Sequence, residues 1–248
     1  MRHILIFLLL VTTSCDLLLD KQAAQKKKKV KDGLVVSKKD GKVYAKINYK
    51  KGKKQGWSEN YYDNGNLRAK IFYRNDLKDS LAIMYYENGK KYRETMYKKD
   101  KKHGWQRKYR EDGKIMAEIP YYEDDVCAGL KEYYLSGKIK PVSDYPGINV
   151  QYKNNLMKDG TYRVKIYFDK RPSVAKYYIG ELDEHGRITF MNTEILPKNA
   201  NNEAYIDFRL PSNTYIMQKL HIIGATKTIQ GNEYIATKVH NLALENKL

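Results

Sequence analysis

Gly56-Trp57-Ser58-Glu59-Asn60-Tyr61-Tyr62-Asp63-Asn64-Gly65-Asn66-Leu67-Arg68-Ala69-Lys70-Ile71-Phe72-Tyr73 reads as two strand-like runs on either side of Asn64-Gly65. Asn-Gly between alternating runs is the strongest short hairpin signal, because a type I′ turn needs positive φ at both central residues. With Asn64-Gly65 as a two-residue turn, Tyr62 is predicted opposite Leu67 and Tyr61 opposite Arg68. Alternation then predicts Tyr62, Leu67, Ala69, Ile71 and Tyr73 on one face, and Trp57, Tyr61 and Phe72 on the other, beside Glu59, Arg68 and Lys70.

The glycine returns every 24 residues, as Gly41, Gly65, Gly89, Gly113 and Gly137, each preceded by Asp, Asn or Ser. Two tyrosine columns keep that period: Tyr49, Tyr73, Tyr97, Tyr121 and Tyr145, and Tyr61, Tyr85, Tyr109 and Tyr133. This is a repeat array. Neither side of a unit is cleanly polar, which predicts a single-layer, twisted sheet with nearest-neighbour stability. Equivalent residues then lie two strands, about 9–10 Å, apart. The unit near Val35 is degenerate and reads as a cap. Ser80 stands where Gly56 and Gly104 stand, and Gly129 comes one residue late, which predicts an irregularity near Cys127.

The motif carried by Tyr61-Tyr62-Asp63-Asn64-Gly65-Asn66-Leu67 and Tyr85-Tyr86-Glu87-Asn88-Gly89-Lys90-Lys91, with weaker copies at 109–115 and 133–139, resembles the bacterial variant of the MORN repeat. Related repeats occur in a family of antitoxins, and the broader family is associated with membrane-lipid contact and protein scaffolding. The resemblance implies a binding or scaffolding role and carries no residue signature for a ligand.

After Tyr145-Pro146-Gly147 the period is lost. Short alternating runs follow at 162–168, 175–179, 187–190, 204–210, 219–223 and 234–239, separated by turn-rich segments. They predict an immunoglobulin-like β-sandwich over 147–248, so the chain as a whole is expected to be all-β. The sandwich would also give the repeat sheet, at 35–146, something to dock against.

At the amino terminus, Arg2-His3 precedes the apolar run Ile4 to Val11, too short to span a bilayer and suited to a cleaved signal core. Thr12-Thr13-Ser14-Cys15 then resembles a bacterial lipoprotein signal, with Thr12 where that pattern usually has Leu. Residues 1–15 are thus expected to be a signal peptide with Cys15 lipidated, and 16–34 a basic flexible tether. Two acyl systems on Cys15 would anchor the chain firmly, and Lys26 to Lys29 would be drawn to anionic headgroups. The expected location is the bacterial cell envelope.

The formal charge is +18, and residues 36–146 hold 26 basic against 16 acidic side chains. The lysines cluster in connecting segments, as expected of soluble turns and edges. With Cys15 lipidated, Cys127 is left as the sole thiol, which excludes an intramolecular disulfide and paired-cysteine zinc sites. His3, His103, His185, His221 and His240 form no metal spacing, and no nucleophile elbow, phosphate loop or dinucleotide fingerprint is present. The sequence therefore points to a non-catalytic binding module without metal or cofactor. Its candidate surface is Trp57, Tyr61, Tyr85, Trp105, Tyr109 and Tyr133, and its expected partner is an envelope protein or glycan rather than nucleic acid. The alternative reading is an antitoxin or immunity-like protein that neutralises a cognate toxin.

Overall fold

The computed structural model describes residues 30–247. The expected signal peptide with Cys15 and most of the expected tether lie outside the described residues. Strand β1 already takes in Gly33 and Leu34, so the ordered sheet starts before the expected end of the tether at residue 34.

Among the described residues the protein is nearly all β. Ten strands make the first sheet: β1 (Gly33–Lys39), β2 (Lys42–Lys50), β3 (Lys53–Tyr61), β4 (Leu67–Arg74), β5 (Leu77–Tyr85), β6 (Lys91–Lys98), β7 (Lys101–Tyr109), β8 (Ile115–Tyr122), β9 (Asp125–Val126) and β10 (Lys131–Glu132). It is an antiparallel meander in which β1 to β8 follow one another in space and both β9 and β10 pair with β8. Among the described residues up to the end of β6 the only buried apolar side chains are Ala45, Ala69 and Ala82. That is a single layer, with methyl groups where a two-layer fold would have a core.

The turns differ from expectation. Asp63-Asn64-Gly65 is a three-residue loop, closed by Gly65 N–H to the Tyr62 carbonyl at 2.9 Å and Tyr62 N–H to the Asn66 carbonyl at 2.8 Å. Only Gly65, at φ 87°, is left-handed. This is a type I turn with a glycine bulge, not a type I′ turn. Instead of adopting positive φ, Asn64 uses its side chain, whose Oδ1 accepts the Asn66 N–H at 2.9 Å; Asn88 and Asp112 repeat the contact. The register shifts between Asn60 and Tyr61, so Tyr61 faces Leu67, not Arg68.

The type I′ turns sit at the other end of the sheet, in the segments expected to be connectors. Asn75-Asp76, Lys99-Asp100 and Glu123-Asp124 each have positive φ at both positions. Asp40-Gly41 also has positive φ at both positions, although it closes β1–β2 at the Asn64-Gly65 end of the sheet, so Gly41 shares the place of Gly65 but not its turn geometry. Each aspartate staples its turn to the preceding unit: the Lys54, Lys78 and Lys102 amides donate to Asp76, Asp100 and Asp124 Oδ1 at 2.7, 2.7 and 2.8 Å. The same lysines lay their Nζ over Tyr73, Tyr97 and Tyr121 at 4.9, 5.1 and 4.4 Å from the ring centres, which accounts for one tyrosine column.

Near Cys127 the eighth strand partner is interrupted, as the late Gly129 predicts: β9 ends at Val126 and β10 starts at Lys131. Cys127 is buried in the gap, and burial raises the pKa of its thiol.

Residues from Ile148 onward form two further sheets. One has β11 (Ile148–Asn155), β12 (Thr161–Phe168) and β15 (Ala204–Arg209); the other has β14 (Thr193–Leu196), β13 (Ala175–Gly180), β16 (Thr214–Lys227) and β17 (Glu233–Asn246). Counted from β11, the orders are 1-2-5 and 4-3-6-7. This is the immunoglobulin-like arrangement with the fourth strand moved onto the sheet of the third. The expected strand at 187–190 is instead loop. Asp183 grips it, accepting the His185 and Arg187 amides at 3.0 and 2.8 Å and Arg187 Nε at 2.7 Å, and Phe190 is left 95% exposed. The sandwich core gathers Val164, Ile166, Phe168, Ala175, Tyr177, Ala204 and Ile222.

The sandwich docks on one face at the carboxy-terminal end of the repeat sheet. Ala117, Ile119 and Leu130 pack there with Tyr145, whose ring stacks on Tyr234 at 5.0 Å. This is why Tyr145, last of its column, is buried. Glu132, only 2% exposed, locks the joint: its carboxylate accepts Lys140 Nζ at 3.0 Å, Thr228 Oγ1 at 2.5 Å and Asn232 Nδ2 at 2.7 Å. A buried carboxylate needs such partners.

Candidate binding face of the repeat sheet

Register places Trp57, Glu59 and Tyr61 on the same face as Lys70 and Phe72, and the later units repeat the arrangement. Three parallel rows result. The central row crosses the sheet through residues directly opposite one another: Lys46, Glu59, Lys70, Ile83, Glu94, Arg107, Glu118 and Lys131. Its charges alternate except at Ile83. Opposite charges facing across strands stabilise a sheet by about 0.2–1 kcal/mol per pair.

On one side of this row run Trp57, Phe72, Leu81, Met96, Trp105 and Pro120, paired in register. Trp57 meets Phe72 edge to face with centroids 5.4 Å apart. Lys70 Nζ lies over Trp57 at 5.0 Å, and Lys131 Nζ over Trp105 at 5.1 Å. On the other side runs the second tyrosine column. Tyr61 Oη donates to Glu59 Oε2 at 2.6 Å, Tyr109 Oη to Glu94 Oε2 at 2.5 Å, and Tyr133 Oη to Glu118 Oε2 at 2.9 Å. Tyr85 lacks this partner because the two central-row positions beside it, equivalent to Glu94 for Tyr109 and to Glu59 for Tyr61, hold Lys70 and Ile83.

The electrostatics follow from these contacts. Burial and the adjoining carboxylates raise the pKa values of Tyr61, Tyr109 and Tyr133, so all three stay neutral donors. The Tyr61 hydroxyl holds the Glu59 carboxyl below its ordinary value against the cost of burial, and Lys70 and Lys46 add to the effect. Burial raises the pKa of Glu118, but hydrogen bonds from Arg107 and Tyr133 outweigh it and leave the carboxyl ionised below the usual range.

All six aromatic candidates therefore share one face, opposite the one that packs on the sandwich core, and all remain at least partly exposed; the sandwich reaches this face at its margin, where His185 stacks on Tyr122 at 3.6 Å. Phe72 and Met96, the lysines over the indoles and the glutamates beneath the tyrosines also belong to it. Among the described residues no group of three His, Cys, Asp or Glu is placed to hold a metal, and no helix is long and apolar enough to cross a membrane.

Two hairpin units, residues 54–75 and 78–99, match the sequence profile of the MORN repeat variant. Comparison with curated protein sequences gives no match. MORN repeats are generally binding and scaffolding modules.

Proposed function

We propose that this is a lipid-anchored bacterial envelope protein whose repeat sheet is a non-catalytic binding and scaffolding surface for an envelope protein or glycan. The observation that carries the reading is sidedness. Six aromatic residues at repeat spacing lie on the face the sandwich leaves open, in a single-layer sheet that has no use for them as core. Exposed aromatic side chains with fixed cations beside them are the residues that anchor interfaces. The anchoring part of the proposal rests on the run Ile4 to Val11 and on Cys15.

Photo-crosslinking residues introduced in cells at Tyr85 or Tyr109 test the surface against Tyr73 or Tyr97 on the opposite face. Discrete adducts from the first pair alone, lost with Trp57→Ala or Trp105→Ala, support the proposal. Equal adducts from both faces, or none from the first pair, contradict it. Palmitate labelling and fractionation of wild type against Cys15→Ser test the anchor separately.

A further inference from the structure

The repeat supplies its own standard for judging single residues. On the face that meets the sandwich, Ala45, Ala69 and Ala117 occupy one 24-residue column, and the third unit puts Arg93 there instead. Two adjoining columns depart in the same hairpin: Ser58 and Ala82 give way to Gln106, and Asn60 and Met84 to Lys108. Arg93 and Lys108 are direct cross-strand partners. Like charges facing each other destabilise a sheet, so sheet packing does not account for the pair.

Both cations line a cleft of about 420 Å³ between the repeat sheet and the β16–β17 turn, together with Lys102 and Lys227. Asp124 and Glu233 also reach it, so four cations stand against two carboxylates. Asp124 Oδ1 is already committed to the Lys102 amide. Lys108 Nζ donates to the neutral Asn232 Oδ1 at 2.7 Å, while the Arg93 guanidinium finds only the Met84 sulfur at 2.8 Å and the Tyr92 ring at 5.6 Å. Burial, and then the charge of Arg93, push the Lys108 amine below its ordinary value. A bound anion would relieve that repulsion.

We propose that this cleft binds a phosphate-type oxyanion, held by the planar fork of Arg93 and the point charges of Lys102, Lys108 and Lys227. The excess of cations over carboxylates suits a phosphate group, which carries about two negative charges. Three of the cations come from the sheet and Lys227 comes from the sandwich, so the anion bridges the two. The site lies on the face opposite the aromatic rows and stands independently of them.

Thermal unfolding of the full-length protein in detergent tests this, with inorganic phosphate compared against chloride at equal ionic strength and against dihexanoyl phosphatidylglycerol as monomer. Arg93→Ala and Lys108→Met install residues that other units carry in the same columns; Arg93→Ala should fold with an anion-free Tm at or above that of the parent, whereas Lys108→Met leaves the buried Asn232 Oδ1 without its donor and should fold with a Tm a few degrees lower. A saturable rise in Tm with phosphate, its apparent affinity weakened at least about tenfold in each variant, supports the proposal and identifies a small phosphate. A rise with the phospholipid alone, lost in both variants, supports it and identifies a headgroup. Phosphate should also protect Lys108 of the wild-type protein from an amine-acylating reagent. Equal stabilisation by phosphate and chloride, or binding undiminished in both variants, would overturn it.

Discussion

The hydroxyl of Tyr62 donates to the backbone carbonyl of Tyr85 at 2.7 Å, tying one hairpin loop to the next. Tyr86 repeats the bond to Tyr109 at 2.8 Å, and Arg110, one period on, reaches the Tyr133 carbonyl through Nη2 at 2.6 Å. The second tyrosine of the Tyr-Tyr pair is thus an inter-repeat strap. Tyr62→Phe and Tyr86→Phe should each cost about 0.5–1.5 kcal/mol in urea unfolding, and Arg110→Ala about 1.5–3 kcal/mol because its bond is charge-assisted. A double Tyr62→Phe/Tyr86→Phe variant should lose close to the sum of the single losses, as nearest-neighbour repeats require.

Ser80 is held at φ 79°, where Gly56 and Gly104 have φ 81° and 92°. A side chain in this region is strained and glycine is not. Ser80→Gly should stabilise the protein by about 1 kcal/mol, and Gly104→Ser should destabilise it by a similar amount. Thermal unfolding of the two variants should therefore move Tm by a few degrees in opposite directions.

Tyr177 is fully buried, and its hydroxyl accepts the Phe168 N–H and donates to the Asn202 carbonyl, both at 3.0 Å. Burial pushes its pKa up to about 12 from an ordinary 10. A raised pKa means the neutral form is preferred in the fold. Its contribution is complete below pH 10 and is lost as pH rises toward 12, by about 3 kcal/mol in all. Tyr177→Phe should cost about 1–3 kcal/mol at neutral pH by leaving the Phe168 amide unpaired. It should also flatten the fall in stability above pH 10, measured by denaturant titration at each pH.

The period, the all-β character, the aromatic face and the sandwich class are legible in the sequence because each arises from local pattern. Turn type is not, because a glycine in the left-handed region serves both a type I′ turn and a bulged type I turn. What decides between them is whether Asn64 spends its side chain on the Asn66 amide. The type I′ turns at Asn75-Asp76 and Lys99-Asp100 contain no glycine, so the usual signal is absent there. Strand β11 escapes notice because Lys153-Asn154-Asn155 breaks its alternation. The run 187–190 looks like a strand, but contacts to Asp183 hold it as loop. The proposed anion cleft depends on residues such as Lys108 and Asn232, far apart in the chain; its trace in the sequence is the departure of Arg93, Gln106 and Lys108 from their 24-residue columns.

Oxidative footprinting of the aromatic side chains, in intact envelopes and after purification, tests the open face without knowledge of the partner. Trp57, Trp105 and the column Tyr61, Tyr85, Tyr109 and Tyr133 should be protected in the envelope and become reactive in the purified protein. Tyr215, 74% exposed on the sandwich, should react equally in both. Unchanged reactivity along the rows, or protection confined to Tyr215 and its neighbours, would contradict the assignment of the repeat face as the binding surface.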